Sequence, residues 1–227
     1  MTTPLLLLWD IDGTLLQRAS TEHADAMRRA LIEIHGALKE DSRVEAAGRT
    51  DGAIARDLLV AAGHAPEAID ARADDVIAAC CELYDDLCPA DLTARVAPGV
   101  ADVLPRLAAR PEAFRFSLVT GNFERIARLK LARAGIGDWF PEGQGAFGSD
   151  AEDRELLPAI ARARAGDWPR ERTVVIGDTP RDIACARADG LRVIAVATGP
   201  FAVEALAEAD AVADGAEAVV PILEDWV

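Results

Sequence analysis

The sequence predicts an α/β protein: a doubly wound parallel sheet with an inserted all-helical domain. The apolar run Leu5–Trp9, which stops at Asp10, is typical of a strand buried on both faces. Residues 16–92 show only helical periodicity. After Val96, short apolar runs alternate with helical segments, which is the pattern of parallel strands joined by crossover helices.

We therefore predict an α/β core made of residues 1–15 and 93–227 and a helical cap made of residues 16–92. The cap should contain three helices, the third beginning at Pro66 and ending before Pro89. The predicted core elements are strands at residues 116–120, 145–148, 173–176 and 193–196, and helices at residues 100–109, 123–134 and 154–165.

The motif at the end of the first strand, Asp10-Ile11-Asp12-Gly13-Thr14-Leu15, is the most informative one. Side chains alternate along an extended chain, so Asp10 and Asp12 should point the same way, and Gly13 permits a sharp turn after them. Two carboxylates in the crevice beyond the strand ends suit Mg²⁺ with waters and a phosphate. The alternative is a chance turn with two solvated acids.

A second strand end carries Thr120-Gly121-Asn122. A hydroxyl and free N–H groups at this position can donate to phosphate oxygens. An ordinary strand-to-helix turn, with Thr120 making a local hydrogen bond, would use the same residues.

A third strand, at residues 173–176, leads to Asp178, and Asp182 follows one helical turn later on the same side. Pro180 suits the first turn of the helix that follows, and Gly190 suits its end. An N-cap aspartate is the alternative interpretation of Asp178.

In type and order, these motifs resemble signatures of the haloacid dehalogenase (HAD) superfamily, which consists mainly of Mg²⁺-dependent phosphatases with a Rossmann-like core. The helical insertion after the first strand resembles the small cap of the phosphoglycolate-phosphatase-like branch. Residues 48–51 stand where that branch presents a cap loop to the active site. Arg49 is therefore a candidate substrate contact, or else a solvated arginine in an N-cap turn.

One signature departs from the family pattern. The family usually has a lysine about one helix before the last motif, and residues 149–175 contain none. Arg154 stands near the expected place, where its forked donors could neutralise a carboxylate and a phosphate. It could instead be a surface arginine paired with Glu152 or Glu155. The rival arginines, which fall closer to the following strand, are Arg162, Arg164 and Arg170.

The resemblance implies catalysis through an aspartyl phosphate. Asp10 would be the nucleophile, and Asp12 would act first as general acid and then as base. Mg²⁺ would be bound by Asp10, Asp178 and the main-chain carbonyl of Asp12, with Asp182 behind them or as a weak ligand. The residues implied to hold the phosphoryl oxygens during catalysis are Thr120, Gly121, Asn122 and Arg154.

The predicted activity is hydrolysis of a small phosphorylated metabolite. A phosphomutase of the β-phosphoglucomutase type would use the same core, and nothing in the cap sequence excludes it. A haloacid dehalogenase is disfavoured because it would need neither Asp12 nor Mg²⁺. A non-enzymatic binding protein on this fold would be expected to lack one of the core carboxylates.

Composition limits the partners. The net charge of −15 argues against binding to nucleic acid or to an anionic membrane. It also repels a phosphate, so Mg²⁺ and local arginines must reverse the field at the site. The first apolar run is too short for a signal peptide or a membrane span, and the four cysteines lack a zinc spacing. We expect a cytoplasmic protein with reduced thiols, either monomer or homodimer.

Overall fold

The computed structural model describes residues 3–39 and 44–227. Its strands are β1 (Leu5–Trp9), β2 (Phe114–Leu118), β3 (Thr173–Gly177), β4 (Arg192–Val196) and β5 (Ala211–Ala213). They form one parallel sheet in the order β2-β1-β3-β4-β5. The predicted α/β class with a parallel sheet is therefore confirmed.

β1 lies between β2 and β3 and is buried on both faces. Leu5, Leu7 and Trp9 face one apolar cluster, and Leu6 and Leu8 face another. This is why the strand is an uninterrupted apolar run rather than an alternating one. The position of β1 at the centre of the fold places whatever follows it in the middle of the sheet edge.

α-Helices lie between successive strands, except between β4 and β5, and they cover both faces of the sheet. They are α1 (Thr21–His35), α2 (Asp51–Ala61), α3 (Pro66–Asp70), α4 (Ala73–Leu87), α5 (Val100–Ala108), α6 (Glu124–Arg133), α7 (Leu157–Arg164), α8 (Pro180–Ala188) and α9 (Ala216–Trp226). Helices α1 to α4 lie between β1 and β2 in the chain, and α1 packs against α4. These four helices form the helical cap.

The domain boundaries themselves remain a prediction, and residues 40–43 of the predicted cap lie outside the described residues. The prediction of one long third helix in the cap was wrong. Its sequence forms α3 and α4, because Arg72 adopts φ −121° and ψ 11°, outside the range of a continuing helix.

The core elements differ from the prediction in three places. The predicted strand at residues 145–148 is only an isolated bridge between Val119 and Ala146. The predicted helix at residues 154–165 begins as a 3₁₀ turn, and α7 starts at Leu157 so that Pro158 falls in its first turn, where a missing N–H is tolerated. Strand β5 and helix α9 were not predicted.

No helix in the described part of the chain is both long and apolar enough to cross a membrane.

We expect Leu7→Ala to lower the free energy of unfolding by about 2–5 kcal/mol, because it leaves a cavity at the centre of a sheet buried on both faces. Leu156→Ala is the matched control, since Leu156 is 55% exposed and its truncation should change stability by about 0.5 kcal/mol or less. Denaturant unfolding of both variants measures the difference. Equal losses would contradict the central position of β1.

Candidate active site

The carboxyl ends of β1, β2 and β3 meet at one edge of the sheet. Parallel pairing continues one residue beyond each strand: the Asp10 N–H donates to the Ile176 carbonyl (2.9 Å), and the Val119 N–H donates to the Trp9 carbonyl (2.9 Å). Asp10 and Asp178 are thereby brought together although they are far apart in sequence. Carboxylate oxygens of Asp10, Asp178 and Asp182 all lie within 4.8 Å of one another, and all three residues are buried.

Arg154 provides a counter-charge to this cluster. Its side chain is 8% exposed, and its guanidinium donates to Asp10 Oδ1 (3.0 Å) and to Asp182 Oδ1 (2.5 Å). Burial would lower the pKa of Arg154, but Asp182 and Asp10 raise it well above its ordinary value. The arginine is therefore a permanent cation beside the first motif, as the sequence position suggested, and is not a surface residue paired with Glu152 or Glu155.

The rival arginines point elsewhere. Arg162 and Arg170 both bind the carboxylate of Asp189 (2.6 and 2.9 Å), and Arg164 binds Asp150 (2.6 Å). These pairs join α7 and its flanking segments to neighbouring structure. None of the three contacts Asp10 among the described interactions.

One arginine does not neutralise three carboxylates. Burial raises the pKa of Asp10 to about 7, with the neighbouring Asp182 and Asp12 adding to the rise and Arg154 opposing it. Burial likewise raises the pKa of Asp178 to about 8, with help from Asp10 and Asp182. The site therefore has excess negative charge, which a divalent cation would offset.

Asp182 has little capacity left to bind a metal. Its Oδ1 accepts from Arg154, and its Oδ2 accepts from the N–H (2.9 Å) and the hydroxyl (2.7 Å) of Thr179. Thr179 in turn caps α8, so the two residues form a capping box. Asp182 holds Arg154 and the start of α8 in place.

Asp10 and Asp178 fit a hard cation. Their carboxylates are close together. The Asp178 carboxylate packs directly against Gly13 and Gly199, where an added Cβ would lie 2.2 and 1.7 Å from its Oδ2, so only glycine permits this placement. Thr14 donates to Asp178 Oδ1 (3.2 Å) and orients it. An all-oxygen donor set of this kind is what Mg²⁺ prefers.

Asp12 is held by a lysine that the sequence analysis missed. Lys130 Nζ donates to Asp12 Oδ2 (2.6 Å), and Asn122 Nδ2 donates to the same oxygen (2.8 Å). Burial would raise the pKa of Asp12, but Lys130 lowers it below its ordinary value. A signal was present: Lys130 lies on the apolar stripe of α6 with Ile126 and Ala127, where a charge is unexpected.

The second motif is only partly turned toward the site. Gly121 and Asn122 line the cavity described below, whereas Thr120 is fully buried and is not among the described lining residues. The Thr120 hydroxyl oxygen accepts from the amide of Asn122 (2.9 Å). In this structure Thr120 therefore orients Asn122.

The cap loop at residues 48–51 is docked on the core. The Asp51 N–H donates to the Gly121 carbonyl (2.8 Å), and Asp51 Oδ2 accepts from the N–H of Phe123 (2.7 Å). Arg49 lines the cavity, but its guanidinium is bound to Asp57 (2.7 Å) and to the carbonyl of Ala53 (3.1 Å). Arg49, the candidate substrate contact, therefore lies at the cavity, but its guanidinium is bound to other groups of the cap.

A cavity of about 940 Å³ lies between cap and core. The core contributes the carboxylates Asp10, Asp12 and Asp178. The cap and its junction contribute apolar side chains and arginines, and the arginines lining the cavity are Arg18, Arg28, Arg49 and Arg154. The described lining holds as many aspartates as arginines, since Asp51 joins the three core carboxylates. The arginines therefore offset the acidic field without reversing it, and a bound cation is needed as well.

The family model of haloacid dehalogenase-like hydrolases matches residues 7–187, and a related model described as HAD-hydrolase-like matches residues 154–225. The chain belongs to the haloacid dehalogenase superfamily. The resemblance drawn from the sequence motifs is thereby confirmed.

Known proteins similar to this HAD hydrolase include phosphoglycolate phosphatases. One from Cereibacter sphaeroides is 30% identical over 187 residues, 82% of each chain. Another, from Rhodospirillum rubrum, is 30% identical over 205 residues, 86% of this chain and 80% of the relative. The crystal structure of CbbY from Rhodobacter sphaeroides in complex with phosphate has a similar fold, with a TM-score of 0.65 at 21% identity, and the match covers 94% of this chain and 95% of that one. The chain is a hydrolase of the phosphatase class.

We predict that Arg154→Ala slows turnover of a phosphate ester by roughly 10²-fold or more, because a lost charge-assisted contact in an enclosed site costs on the order of 2–4 kcal/mol. Arg154→Lys should recover part of this loss, since it restores the charge without the forked geometry. Arg164→Ala, which breaks a pair away from the site, is the control. Steady-state phosphate release measures all three. A loss in Arg154→Ala no larger than in the control would remove Arg154 from the site.

We also predict that Mg²⁺ raises the melting temperature more at about pH 8 than at about pH 5. Folded carboxyl groups with raised pKa hold protons that the unfolded chain releases above its ordinary pKa of 3.8, so metal-free stability is lost as the pH rises through about 7 and 8. A bound cation replaces those protons and restores the loss. Thermal unfolding with Mg²⁺ or with a chelator tests this, with Asp178→Asn as the control that should lose the effect.

Proposed function

We propose that this protein is a Mg²⁺-dependent phosphatase that hydrolyses a small phosphomonoester through an aspartyl-phosphate intermediate. The observation that carries the proposal is the arrangement around Asp10. It lies in a cavity beside Asp178, it is contacted by the Arg154 guanidinium, and Asp12 follows it two residues later on the same strand end.

In the first step, an oxygen of Asp10 forms a bond to phosphorus while the ester P–O bond breaks. The leaving oxygen takes its proton from Asp12, which is thus the general acid. Arg154 and the N–H groups of Gly121 and Asn122 hold the phosphoryl oxygens as their charge redistributes.

In the second step, Asp12 acts as base. It takes a proton from a water molecule, whose oxygen forms the new bond to phosphorus as the bond to Asp10 breaks. Phosphate and the free Asp10 carboxylate result, and the products balance with the ester and water consumed. The lowered pKa of Asp12 beside Lys130 favours the carboxylate form, which is the form that acts as base in this step.

Asp10, Asp178 and the main-chain carbonyl of Asp12 would hold Mg²⁺, which would neutralise the nucleophile and one phosphoryl oxygen. Asp182 would support this set through Arg154 without binding the ion. We propose these roles on the fit of the oxygen donors described above.

We propose a small phosphorylated metabolite as substrate, in the manner of the phosphoglycolate phosphatases that the sequence resembles. The cavity of about 940 Å³ has room for more than a two-carbon acid. Its apolar cap side, with Met27, Ile54 and Leu58, favours an ester with some apolar surface. We propose that the enzyme acts in the cytoplasm on such an ester.

A screen for phosphate release over phosphoglycolate, sugar phosphates, nucleotides and pyridoxal phosphate tests the substrate. Release of inorganic phosphate with Mg²⁺ and loss of release with a chelator support the proposal. Transfer of the phosphoryl group between sugar positions without phosphate release would instead identify a mutase.

Asp10→Asn should abolish phosphate release while leaving the melting temperature within a few degrees of the native value, since the amide keeps the shape but is not a nucleophile. Glu155→Gln, on an exposed residue, is the control. Phosphate release and thermal unfolding are measured together. Near-normal turnover in Asp10→Asn with Mg²⁺ would rule out the covalent route.

A further inference from the structure

Lys130 is one of two lysines in the chain; the other, Lys39, is exposed near the end of α1. Lys130 is completely buried. A buried ammonium group is costly unless every N–H group finds an acceptor. Its location in a helix otherwise rich in arginine therefore suggests a specific use.

The three donors of the Lys130 ammonium meet three acceptors. These are Asp12 Oδ2 (2.6 Å), Asn122 Oδ1 (2.7 Å) and His23 Nδ1 (3.3 Å). A compact ammonium group can serve three acceptors around one point, whereas a planar guanidinium cannot. Lys130 is not among the described residues that line the cavity, so it acts on a substrate only through its partners.

Lys130 fixes the orientation of Asp12. The same carboxylate oxygen receives Asn122 Nδ2, and the other amide atom of Asn122 is bound to Lys130. Lysine, asparagine and aspartate thus form a closed ring of hydrogen bonds. Removing the lysine would leave Asp12 with one neutral donor in place of a charged and a neutral one, and would leave Asn122 Oδ1 without the Lys130 donor.

The third partner, His23, belongs to the cap. It lies on α1, and its Nε2 is 3.1 Å from Asp51 Oδ2, an ion-pair distance although the angle is not that of a hydrogen bond. Asp51 is the residue that receives the Phe123 N–H from the core. The ring around Asp12 is therefore completed by a cap residue that stands next to the cap's own docking contact.

We propose that Lys130 is a positioning residue for Asp12, and that His23 makes this positioning depend on the docked cap. The proposal rests on the proposed phosphatase function, in which Asp12 transfers protons to the leaving oxygen and from water. As a consequence, Asp12 is oriented for proton transfer when the cap is docked on the core, which is also when the cap keeps bulk water out of the site.

The test compares two esters with different needs for proton transfer. An alkyl phosphate needs a proton on its leaving oxygen, whereas p-nitrophenyl phosphate has a leaving group that departs without one. Lys130→Met keeps the length of the side chain and removes the charge. It should lower kcat for the alkyl ester by roughly 10²-fold with little change in KM, and it should lower nitrophenol formation in the first turnover by less than about 10-fold.

The same variant should show a burst of nitrophenol, equal to the enzyme present, followed by slow turnover, because hydrolysis of the aspartyl phosphate still needs Asp12 as base. Lys39→Met, the same substitution on an exposed lysine, is the matched control and should behave as the native enzyme. Equal losses for both esters without a burst would show that Lys130 is only structural and would overturn the proposal.

Variants of His23 keep the test decisive if Lys130→Met does not fold. His23→Leu removes the acceptor for Lys130, and His23→Asn retains one. The first should reproduce the selective loss on the alkyl ester, and the second should recover it. No selectivity in His23→Leu would contradict the link to the cap. If the native enzyme releases phosphate from neither ester, the proposed phosphatase function is wrong. That result differs from one in which the native enzyme is active and the Lys130 variant shows no selective loss, which rejects only the positioning role.

Discussion

The accumulation of negative charge at one edge of the sheet is the constraint on which the rest of this site depends. Parallel pairing of β1 and β3 brings Asp10 and Asp178 together, and α8 adds Asp182. Burial raises the pKa of Asp10 and Asp178, and the repulsion between neighbouring carboxylates adds to the rise. Arg154 lies against Asp10 and Asp182 and offsets part of this charge.

Two cationic side chains, an arginine and a lysine, offset part of this negative charge. Arg154 donates from one terminal nitrogen, Nη2, to both Asp10 and Asp182. Lys130 binds Asp12 with a compact charge. An excess of negative charge persists between Asp10 and Asp178, the place best suited to a divalent cation. A protein with a net charge of −15 can thus accept a phosphate.

The contact between cap and core combines a shared apolar cluster with specific polar contacts. Thr50 donates to the Glu152 carbonyl (2.5 Å), Arg56 binds the Glu152 carboxylate (2.5 Å), and Asp51 binds the backbone of the second motif. Gly121 permits this approach, because a Cβ there would lie 1.9 Å from the Arg49 carbonyl oxygen. Exposed ion pairs of this kind contribute little stability singly, so the apolar cluster that cap and core share carries most of the stability of this contact.

The sequence by itself determined the parallel α/β fold with a helical insertion and the residues that end its strands, because strand burial and motif order are local patterns. The family's usual spacing made Arg154 a candidate, and the structure places its guanidinium against Asp10. Only the tertiary structure revealed Lys130, His23 and Asp51. Their contacts join residues up to 118 positions apart and two domains, and a hydrogen bond across that distance leaves no periodic trace in either segment. A buried charge on an apolar stripe was the single local sign, and it indicates that a partner exists without indicating which one.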